Sequence, residues 1–427
     1  MTAADTPGTS PGPAETPDIP ETPEAPGTLF RRITDYANRA DPYPLYAELR
    51  AHGGVARQDD GGYLVGTYHE IAALLHDPRI SSDRRNRTVP DEVQGVPIAF
   101  IGRDDPEHER LRDIAMRPFG PPHTPGRIDA MREEITTIAG ELIDGLRGRD
   151  RIDLVEDFAY PLPVTVICRL LGVPREDEPR FHAWTQTLIE GFDPTPGADP
   201  AERQRVALQA RTEMGLYLGE LAEDRRGKPS DDLLSAFVND PGPDGGFTRP
   251  ELMATAVLLL IAGHETTVNL ITNSVLTLLR HPEALRLVRE RPGSMPGVVE
   301  EVLRYEPPVQ LLPQRTALTD VEVAGVTVPK GAPLVLVLAS GNRDPLRFRD
   351  PDRFDPARRD NQHLGFGGGV HSCFGAPLAR VEGQIALTAL ARRLDGPRLL
   401  QDPPVYRRSP ILRGPRHLPL AISGITD

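Results

Sequence analysis

A single cysteine set in a glycine-rich segment constrains this chain more than any other feature. The segment FGGGVHSCFGAPLAR, residues 366–380, has four glycines among its first ten residues. Glycine lets a backbone turn tightly and approach a bulky group. Apolar residues recur at helical spacing after Cys373, and Pro377 fits the first turn of a helix, where its missing N–H is not needed. We therefore predict a tight loop that presents Cys373 just before a helix ending near Leu394.

A cysteine at such a position is favoured as a thiolate. The free N–H groups and the positive dipole end of a helix N-terminus stabilise an anionic sulfur. The other cysteine, Cys168, lies in the apolar stretch VTVICRLLG, so we expect it in the core. Two cysteines exclude a disulfide framework and a four-cysteine zinc or iron–sulfur site, but they leave one thiolate available for chemistry.

Composition indicates a globular protein that folds in water. The 427 residues are 38% hydrophobic and 26% charged, and the net charge of -13 argues against a nucleic-acid binder. Residues 1–27 are rich in proline, threonine, alanine and acidic residues, so we expect this tail to be disordered and residues 28–427 to form one large domain. The longest apolar run of the central helix, residues 256–262, is far shorter than the ~20 residues of a membrane span. We therefore expect a cytoplasmic protein without a membrane partner.

Hydrophobic periodicity predicts a mainly α fold with a smaller β portion. Apolar residues recur at i, i+3 and i+4 through most of residues 106–290. The predicted helices cover residues 108–117, 130–146, 163–171, 201–225 and 250–280. Residues 61–67 and 316–337 predict short strands, the latter with turns at Ala324-Gly325 and Lys330-Gly331.

The cysteine segment resembles the haem-binding signature of the cytochrome P450 family. The likeness covers nearly everything after about residue 35, with three further motifs in the family's order. It implies the cytochrome P450 fold, in which haem b lies between a long central helix and the cysteine loop. Cys373 would be the axial thiolate ligand of the iron, an arrangement that favours O–O cleavage. The resemblance also implies haem contacts from Phe366, Gly367, Gly375 and Ala262.

The second motif is AGHETT, residues 262–267, inside a predicted helix of roughly 45 Å. By resemblance, Glu265 is the acid and Thr266 the alcohol that assist delivery of two protons when the distal oxygen leaves as water. Threonine hydroxyls that bond back to helix carbonyls open a local groove. For Thr267 we favour a packing role, and for His264 a position on the helix face over metal ligation.

The third motif, Glu301-Val-Leu-Arg304, resembles the family's ExxR pair, whose side chains share one helix face. In the family a further arginine joins this pair, and here that residue is Arg358. The resemblance implies a structural triad that locks the cysteine loop.

The fourth motif, residues 106–112, places two basic side chains one helical turn apart. Arginine grips carboxylates bidentately, and the resemblance implies that the haem propionates bind His108, Arg112, Arg315 and His371. Arg110 and Arg117 on the same helix are either solvated or help to dock an acidic ferredoxin. The loop before Arg315 is one residue longer than in many bacterial members of the family, which makes Leu311 and Leu312 candidate pocket residues.

The resemblance implies a monooxygenase that uses O2 and NAD(P)H to insert one oxygen atom into a small organic substrate. Electrons would come through a ferredoxin and its reductase, because no flavin or iron–sulfur segment is attached. Pocket segments at residues 88–103 and 192–203 indicate a mostly apolar substrate, hydroxylated or epoxidised, and the composition suggests secondary-metabolite tailoring. An oxidative coupling enzyme, a peroxygenase and a non-enzymatic haem sensor are the alternatives; the Glu265–Thr266 pair argues against the peroxygenase and the sensor.

Overall fold

The computed structural model describes residues 28–87, 99–120, 123, 124, 126–192, 199–239, 242 and 245–427. The expected disordered tail, residues 1–27, and most of the expected pocket loop, residues 88–98, lie outside this range.

Helices form most of the regular structure of the described residues. They are α1 (Leu29–Thr34), α2 (Tyr43–Ala51), α3 (Tyr68–His76), α4 (Glu107–Phe119), α5 (Gly126–Ala130), α6 (Arg132–Asp144), α7 (Pro161–Leu171), α8 (Glu178–Phe192), α9 (Pro200–Asp224), α10 (Leu233–Asn239), α11 (Arg249–Arg280), α12 (Pro282–Glu290), α13 (Met295–Tyr305), α14 (Leu338–Gly341) and α15 (Ala376–Arg393). The strands are β1 (Val55–Arg57), β2 (Tyr63–Val65), β3 (Ile80–Ser81), β4 (Arg151–Asp153), β5 (Leu312–Ala317), β6 (Val321–Val323), β7 (Val326–Val328), β8 (Pro333–Leu336), β9 (Leu394–Asp395), β10 (Arg398–Leu399), β11 (Pro419–Ala421) and β12 (Gly424–Ile425). The mainly α prediction with a smaller β portion is confirmed.

The largest sheet within the described residues has the strand order β1-β2-β8-β5-β3. Strand β2 pairs with β8 in parallel, and β5 pairs with β8 and β3 in antiparallel fashion. A separate hairpin joins β6 to β7 through Ala324 and Gly325, whose φ angles are 48° and 79°. Two positive φ angles in a two-residue connection match the twist of a hairpin, so the predicted turn is confirmed.

Helix α11 is the central element of the helical part, and it packs against α7, α9, α13 and α15. Its N-terminus is fixed by a capping box between Thr248 and Glu251. Of the described helices, α11 is the one that length and composition alone would allow to cross a membrane, which the short apolar run had not led us to expect. However, 72% of its most apolar window is buried inside the protein, as in the core helix of a globular fold.

Cys168 lies in the main hydrophobic core, as predicted. It is fully buried on α7 among side chains that include Val164, Ile167 and Leu171. Burial raises the pKa of the Cys168 thiol to about 12, so this residue stays a neutral, packed side chain. Gly172 then ends α7 with a left-handed backbone at φ 81°, which glycine adopts without strain.

Candidate active site

The cysteine loop is closed by its own backbone and rests on α3. The amide of Cys373 donates a hydrogen bond to the carbonyl of Phe366 at 2.9 Å. Gly367 and Gly369 have φ angles of 67° and 64°, the left-handed region that favours glycine. A Cβ on Gly369 would lie 1.9 Å from the carbonyl oxygen of Leu75, so the loop touches the end of α3 directly. Helix α15 begins three residues after Cys373, which confirms the predicted loop and helix.

The sulfur of Cys373 has the predicted donors, and burial acts against them. Burial raises the pKa of the Cys373 thiol, and this outweighs the amides of Gly375 and Ala376 and the positive charges of Arg112 and Arg380. The residue borders open space, yet dense protein around the sulfur withholds water from the charged form. The amides and the two arginines favour the thiolate, as expected, whereas burial opposes it.

Four basic side chains converge beside this loop. The rings of His108 and His371 have centroids 4.1 Å apart, and Arg112 donates to the carbonyl of Ser372 at 2.7 Å. Burial, then the positive charges of His108 and Arg315, lower the pKa of His371 to about 4. His108 Nε2 is buried without a hydrogen-bond partner in the described part of the chain. The structure thus brings the four predicted propionate-binding residues together, and Nε2 of His108 among them lacks a hydrogen-bond partner within the described residues.

A bulge in β5 lies just before Arg315, where the resemblance implies an extra residue. Leu312 lies opposite Leu336, whereas Arg315 lies opposite Leu334, so three steps along β5 match two along β8. The register of Arg315 is thereby restored. Leu311 is 1% exposed and belongs to a core cluster under α2, so its prediction as a pocket residue is wrong.

Leu312 does not reach the pocket described below either. It is half-buried and packs against the core of the five-stranded sheet. The sheet, rather than the cavity, therefore takes up both leucines of the longer loop.

The AGHETT segment presents a small residue and two hydroxyls near the middle of α11. Ala262 is exposed although most of the helix around it is buried, so it faces open space. Thr266 Oγ1 donates to the carbonyl of Ala262 at 2.7 Å, and Thr267 Oγ1 donates to that of Gly263 at 2.9 Å. The predicted back-bonding is present, while the helix remains continuous through the segment.

Glu265 is 5% exposed and lies within reach of a cation that the sequence did not reveal. Its Oε1 accepts from Asn269 Nδ2 at 3.2 Å and lies 2.8 Å from Arg407 Nε. The neighbouring His264 is fully buried, with its ring centroid 4.5 Å from that of Tyr160. Burial, then the charge of Arg407, lower the pKa of His264 to about 3. His264 thus lies on a face of α11 that packs against Tyr160.

Both Glu265 and Thr266 line a cavity of ≈ 190 Å³. Its wall combines α11 with α8 and the segment after β10. The lining residues are Thr185, Leu188, Ile261, Ala262, His264, Glu265, Thr266, Arg407, Ser409 and Leu412. Sequence reasoning missed the contributions from α8 and from residues 407–412, which have no periodic pattern or motif of their own. Phe192, a predicted pocket residue, has no described side chain.

The predicted structural triad is present and buried. Glu301 and Arg304 are both 0% exposed, with Nη2 to Oε1 at 2.8 Å and Nε to Oε2 at 2.9 Å. Arg358 Nε lies 3.3 Å from both oxygens of Glu301. Arg304 also donates to backbone carbonyls of the segment between α14 and the cysteine loop, namely those of Asn342, Pro351 and Arg353. The triad therefore fastens α13 to the chain that leads into the loop.

A second ion pair, which we did not predict, holds the other side of the cysteine loop. Arg380 Nε and Nη2 donate to Glu300 at 2.7 and 2.9 Å, and His363 Nε2 lies 3.1 Å from the same carboxylate. The guanidinium of Arg380 lies 4.6 Å from the ring centroid of Phe366. Burial alone would raise the pKa of Glu300, but the hydrogen bonds from His363 and Arg380 lower it to about 2. The sequence positions of the two residues could have indicated this pair, because Glu300 directly precedes the ExxR glutamate and Arg380 is the last residue of the cysteine segment.

The two arginines considered for docking have partners within the protein. Arg110 forms an ion pair with Glu251 in the first turn of α11. Arg117 lies against the backbone of Gly242. Arg110 thus links α4 to the first turn of α11 through this ion pair, a contact that neither solvation nor ferredoxin docking had suggested.

These residues fit a haem. The sulfur of Cys373 and the basic cluster lie beside the same loop, and a Cβ added to Gly367 or Gly375 would meet no atom within 4 Å. Glycine backbone bordering open space lets a bulky macrocycle approach closely. Arg112 and Arg315 in the basic cluster suit the two carboxylates that a haem carries.

Comparison with known proteins gives the same family. The family model described as Cytochrome P450 matches residues 64–291 and 295–415. Cytochrome P450 monooxygenase PikC from Streptomyces venezuelae is 40% identical over 392 residues, 89% of this chain and 91% of PikC. The 6-deoxyerythronolide B hydroxylase from Saccharopolyspora erythraea is 38% identical over 405 residues, 90% of this chain and 96% of that enzyme. The crystal structure of CYP164A2 from Mycobacterium smegmatis matches with a TM-score of 0.82 and 40% identity, covering 92% of this chain and 100% of that one.

Proposed function

The chain belongs to the cytochrome P450 family and is a haem-thiolate monooxygenase, and we propose that it hydroxylates or epoxidises a mostly apolar organic substrate. The arrangement that carries the proposal is the glycine-bounded Cys373 loop beside a basic cluster, with the Glu265–Thr266 pair lining a mostly apolar cavity. The family uses O2 and NAD(P)H. Relatives named for the hydroxylation of 6-deoxyerythronolide B and for mycinamicin hydroxylation and epoxidation support a role in secondary-metabolite tailoring.

The residues of the cysteine loop would hold the cofactor. When bound, the haem iron supplies the activation of O2 for oxygen transfer. Cys373 Sγ would bind the iron, and the amides of Gly375 and Ala376 would steady the sulfur. The propionates would be bound by His108, Arg112, Arg315 and His371.

At the cavity wall, α11 would supply the side chains that hold and transfer protons. Thr266 carries a hydroxyl at the cavity wall, one residue after Glu265, which is the acid of the pair. An acid and an alcohol so placed hold a proton close to the reacting oxygen. The remaining wall is largely apolar, so a bound substrate excludes water and meets few polar groups.

We propose that electrons arrive from NAD(P)H through a ferredoxin and a ferredoxin reductase in the cytoplasm. The burial of α11 within the protein supports a location away from membranes.

The test is the spectrum of the reduced protein with carbon monoxide. We expect the red-shifted Soret band of thiolate ligation in the wild type and its loss in Cys373→Ala. Cys168→Ala is the matched control, since Cys168 is buried in the core and should leave the band unchanged. A wild-type spectrum without the shift, or a shift that survives in Cys373→Ala, would remove Cys373 as the ligand.

A further inference from the structure

Arg407 lies in the cavity wall and also forms an ion pair with Glu265. It lines the cavity beside α11, and its Nε lies 2.8 Å from Oε1 of Glu265. Both side chains are nearly buried, with 8% and 7% of their surfaces exposed. The acid that is proposed to hold a proton for catalysis is therefore ion-paired with a residue that a bound substrate would touch.

The backbone around Arg407 is fixed, so a change of partner must come from its side chain. The amide of Arg407 donates to the carbonyl of Gly414 at 3.0 Å, and the amide of Arg416 donates to that of Val405 at 2.7 Å. The amide of Gln310 donates to the carbonyl of Ile411 at 2.8 Å, which ties the same segment to the chain before β5. The Nε–Oε1 contact itself is within ion-pair distance but is not aligned as a hydrogen bond. The attraction between Arg407 and Glu265 is thus mainly electrostatic. Arg407 can exchange Glu265 for another acceptor without breaking a well-aligned hydrogen bond.

A buried guanidinium is costly to leave without an acceptor. Glu265 can leave Arg407 only when another oxygen takes its place. Two hydroxyls of the wall are turned towards other groups: Thr185 Oγ1 donates to the carbonyl of Phe181 at 2.7 Å, and Ser409 Oγ accepts from the amide of Leu412 at 3.3 Å. A molecule that fills the cavity can supply the replacing acceptor.

We propose that Arg407 binds an oxygen acceptor of the substrate (a carbonyl, ester or carboxylate oxygen) and thereby releases Glu265 for proton delivery. This inference rests on the proposed function and gives its substrate class: a mostly apolar molecule with one acceptor directed at Arg407. Arg407 is a specificity residue towards the substrate and a positioning residue towards Glu265.

Three probes that share an apolar frame test the acceptor. They are 4-phenylbutyric acid, its methyl ester and butylbenzene, each titrated against the haem-loaded enzyme while the low-to-high-spin change is followed. We expect the acid and the ester to bind about tenfold more tightly than butylbenzene, because a hydrogen bond to a charged donor contributes at least that much. The acid and ester together distinguish a need for an acceptor from a need for negative charge.

Two variants then separate recognition from simple support of the fold. Arg407→Leu should remove the advantage of the acid and the ester while butylbenzene binds as before. Glu265→Gln should do the opposite: the competing carboxylate is gone, so the acid and the ester bind about tenfold more tightly. The matched control is Arg408→Leu, whose guanidinium lies 4.5 Å from the ring centroid of Tyr36; this variant should bind all three probes like the wild type.

The outcomes are decisive in both directions. Equal binding of the three probes, no spin change with either oxygen-bearing probe, or weaker binding of the ester in Glu265→Gln would overturn the proposal. A purely structural Arg407 would weaken all three probes alike in Arg407→Leu. The carbon monoxide spectrum is recorded for every variant: an intact thiolate band with the wrong probe pattern rejects this inference alone, whereas a missing wild-type band rejects the proposed function as well.

Discussion

The hydroxyl of Thr266 is bonded to its own helix through the carbonyl of Ala262. A hydroxyl in that position retains its acceptor lone pairs for a partner in the cavity while its donor is occupied. Rotation of one side chain would redirect the donor. The proposed role of Thr266 therefore depends on a small local change rather than on a movement of α11.

Thr266→Ala should raise the share of NAD(P)H electrons lost as peroxide several-fold, while the substrate still binds. The expected cause is the loss of the alcohol that helps to move protons at the cavity wall. Peroxide and oxygenated product are measured per NAD(P)H consumed. Thr267→Ala is the control, because that hydroxyl is buried and bonded to the carbonyl of Gly263. If coupling in Thr266→Ala equals that of the wild type, Thr266 has no part in proton delivery.

The ion pair of Glu300 with Arg380 gives a pH dependence to stability. The folded pKa of Glu300 is about 2, below its ordinary value of 4.5. The charged carboxylate therefore adds stability above pH 4.5, and this contribution is lost as the pH falls from 4.5 to 2. Because Arg380 is partly exposed, we discount the contribution to about 1–2 kcal/mol.

Glu300→Gln should lower the free energy of unfolding by that amount at pH 7, and the deficit should shrink as the pH falls through the window. Urea unfolding of the wild type and the variant across this range measures it. A deficit that stays constant down to pH 2 would show that the titration of Glu300 does not contribute.

Motif reading located residues whose chemistry is local in sequence. Cys373, His371 and the Glu301–Arg304 pair could be found because each lies in a short pattern, and the structure brings them to one region. Arg407 could not be found in this way. Its partner Glu265 is more than a hundred residues away, and only the return of the chain from β10 to β11 brings the two together.

At the scale of elements, most helices and several strands were predictable, whereas the pairing of the strands was not. Helices α4, α7 and α11 begin and end within two residues of their predicted bounds, because each buries one apolar face. Helix α8 was missed, since Pro174 and Pro179 mark a break in the sequence; the structure places Pro179 in the first turn of α8, where proline is tolerated. The pairing of β2 with β8 joins segments far apart in the chain, and such short strands carry too little alternation to predict it.

The contact between the cysteine loop and α3 makes Gly369 sensitive to substitution. Gly369→Ala would place a methyl group against the carbonyl of Leu75 and force a side chain into a left-handed backbone. We expect a loss of about 1–3 kcal/mol in stability and less haem retained per chain. Thermal unfolding and the haem content of the purified variant measure both effects.

Gly140→Ala on α6 is the control, and it is expected to raise stability rather than lower it. A Cβ there would meet no atom within 4 Å, and alanine favours a helix over glycine by up to about 1 kcal/mol. This variant should therefore unfold at a slightly higher temperature than the wild type. Equal effects of the two substitutions would show that the contact with Leu75 is not what restricts position 369.

For the molecule as a whole, the net charge of -13 does not describe the field at the candidate site. Arg112 and Arg315 lie in the basic cluster beside the cysteine loop, and Arg380 adds a further positive charge near the sulfur. The anionic groups that such a site receives respond to this local field rather than to the sum over the surface. A composition-based statement about charge therefore excludes a class of partner but does not identify the ligand.

Removal of residues 1–27 tests the predicted domain boundary. The composition of this segment offers little apolar surface to bury, so the shortened chain should keep its haem and melt within about 1 °C of the full-length protein. Differential scanning calorimetry of the two haem-loaded forms measures the difference. A drop of several degrees would mean that the segment packs on the domain.

The bulge between Leu312 and Arg315 separates two demands on one strand. The register shift takes up one residue between Leu312 and Arg315. After the shift, the pairing of β5 with β8 continues in regular register. The approach to Arg315 can therefore be lengthened while the guanidinium keeps its place. Insertions engineered immediately before Gln314 should be absorbed locally for the same reason.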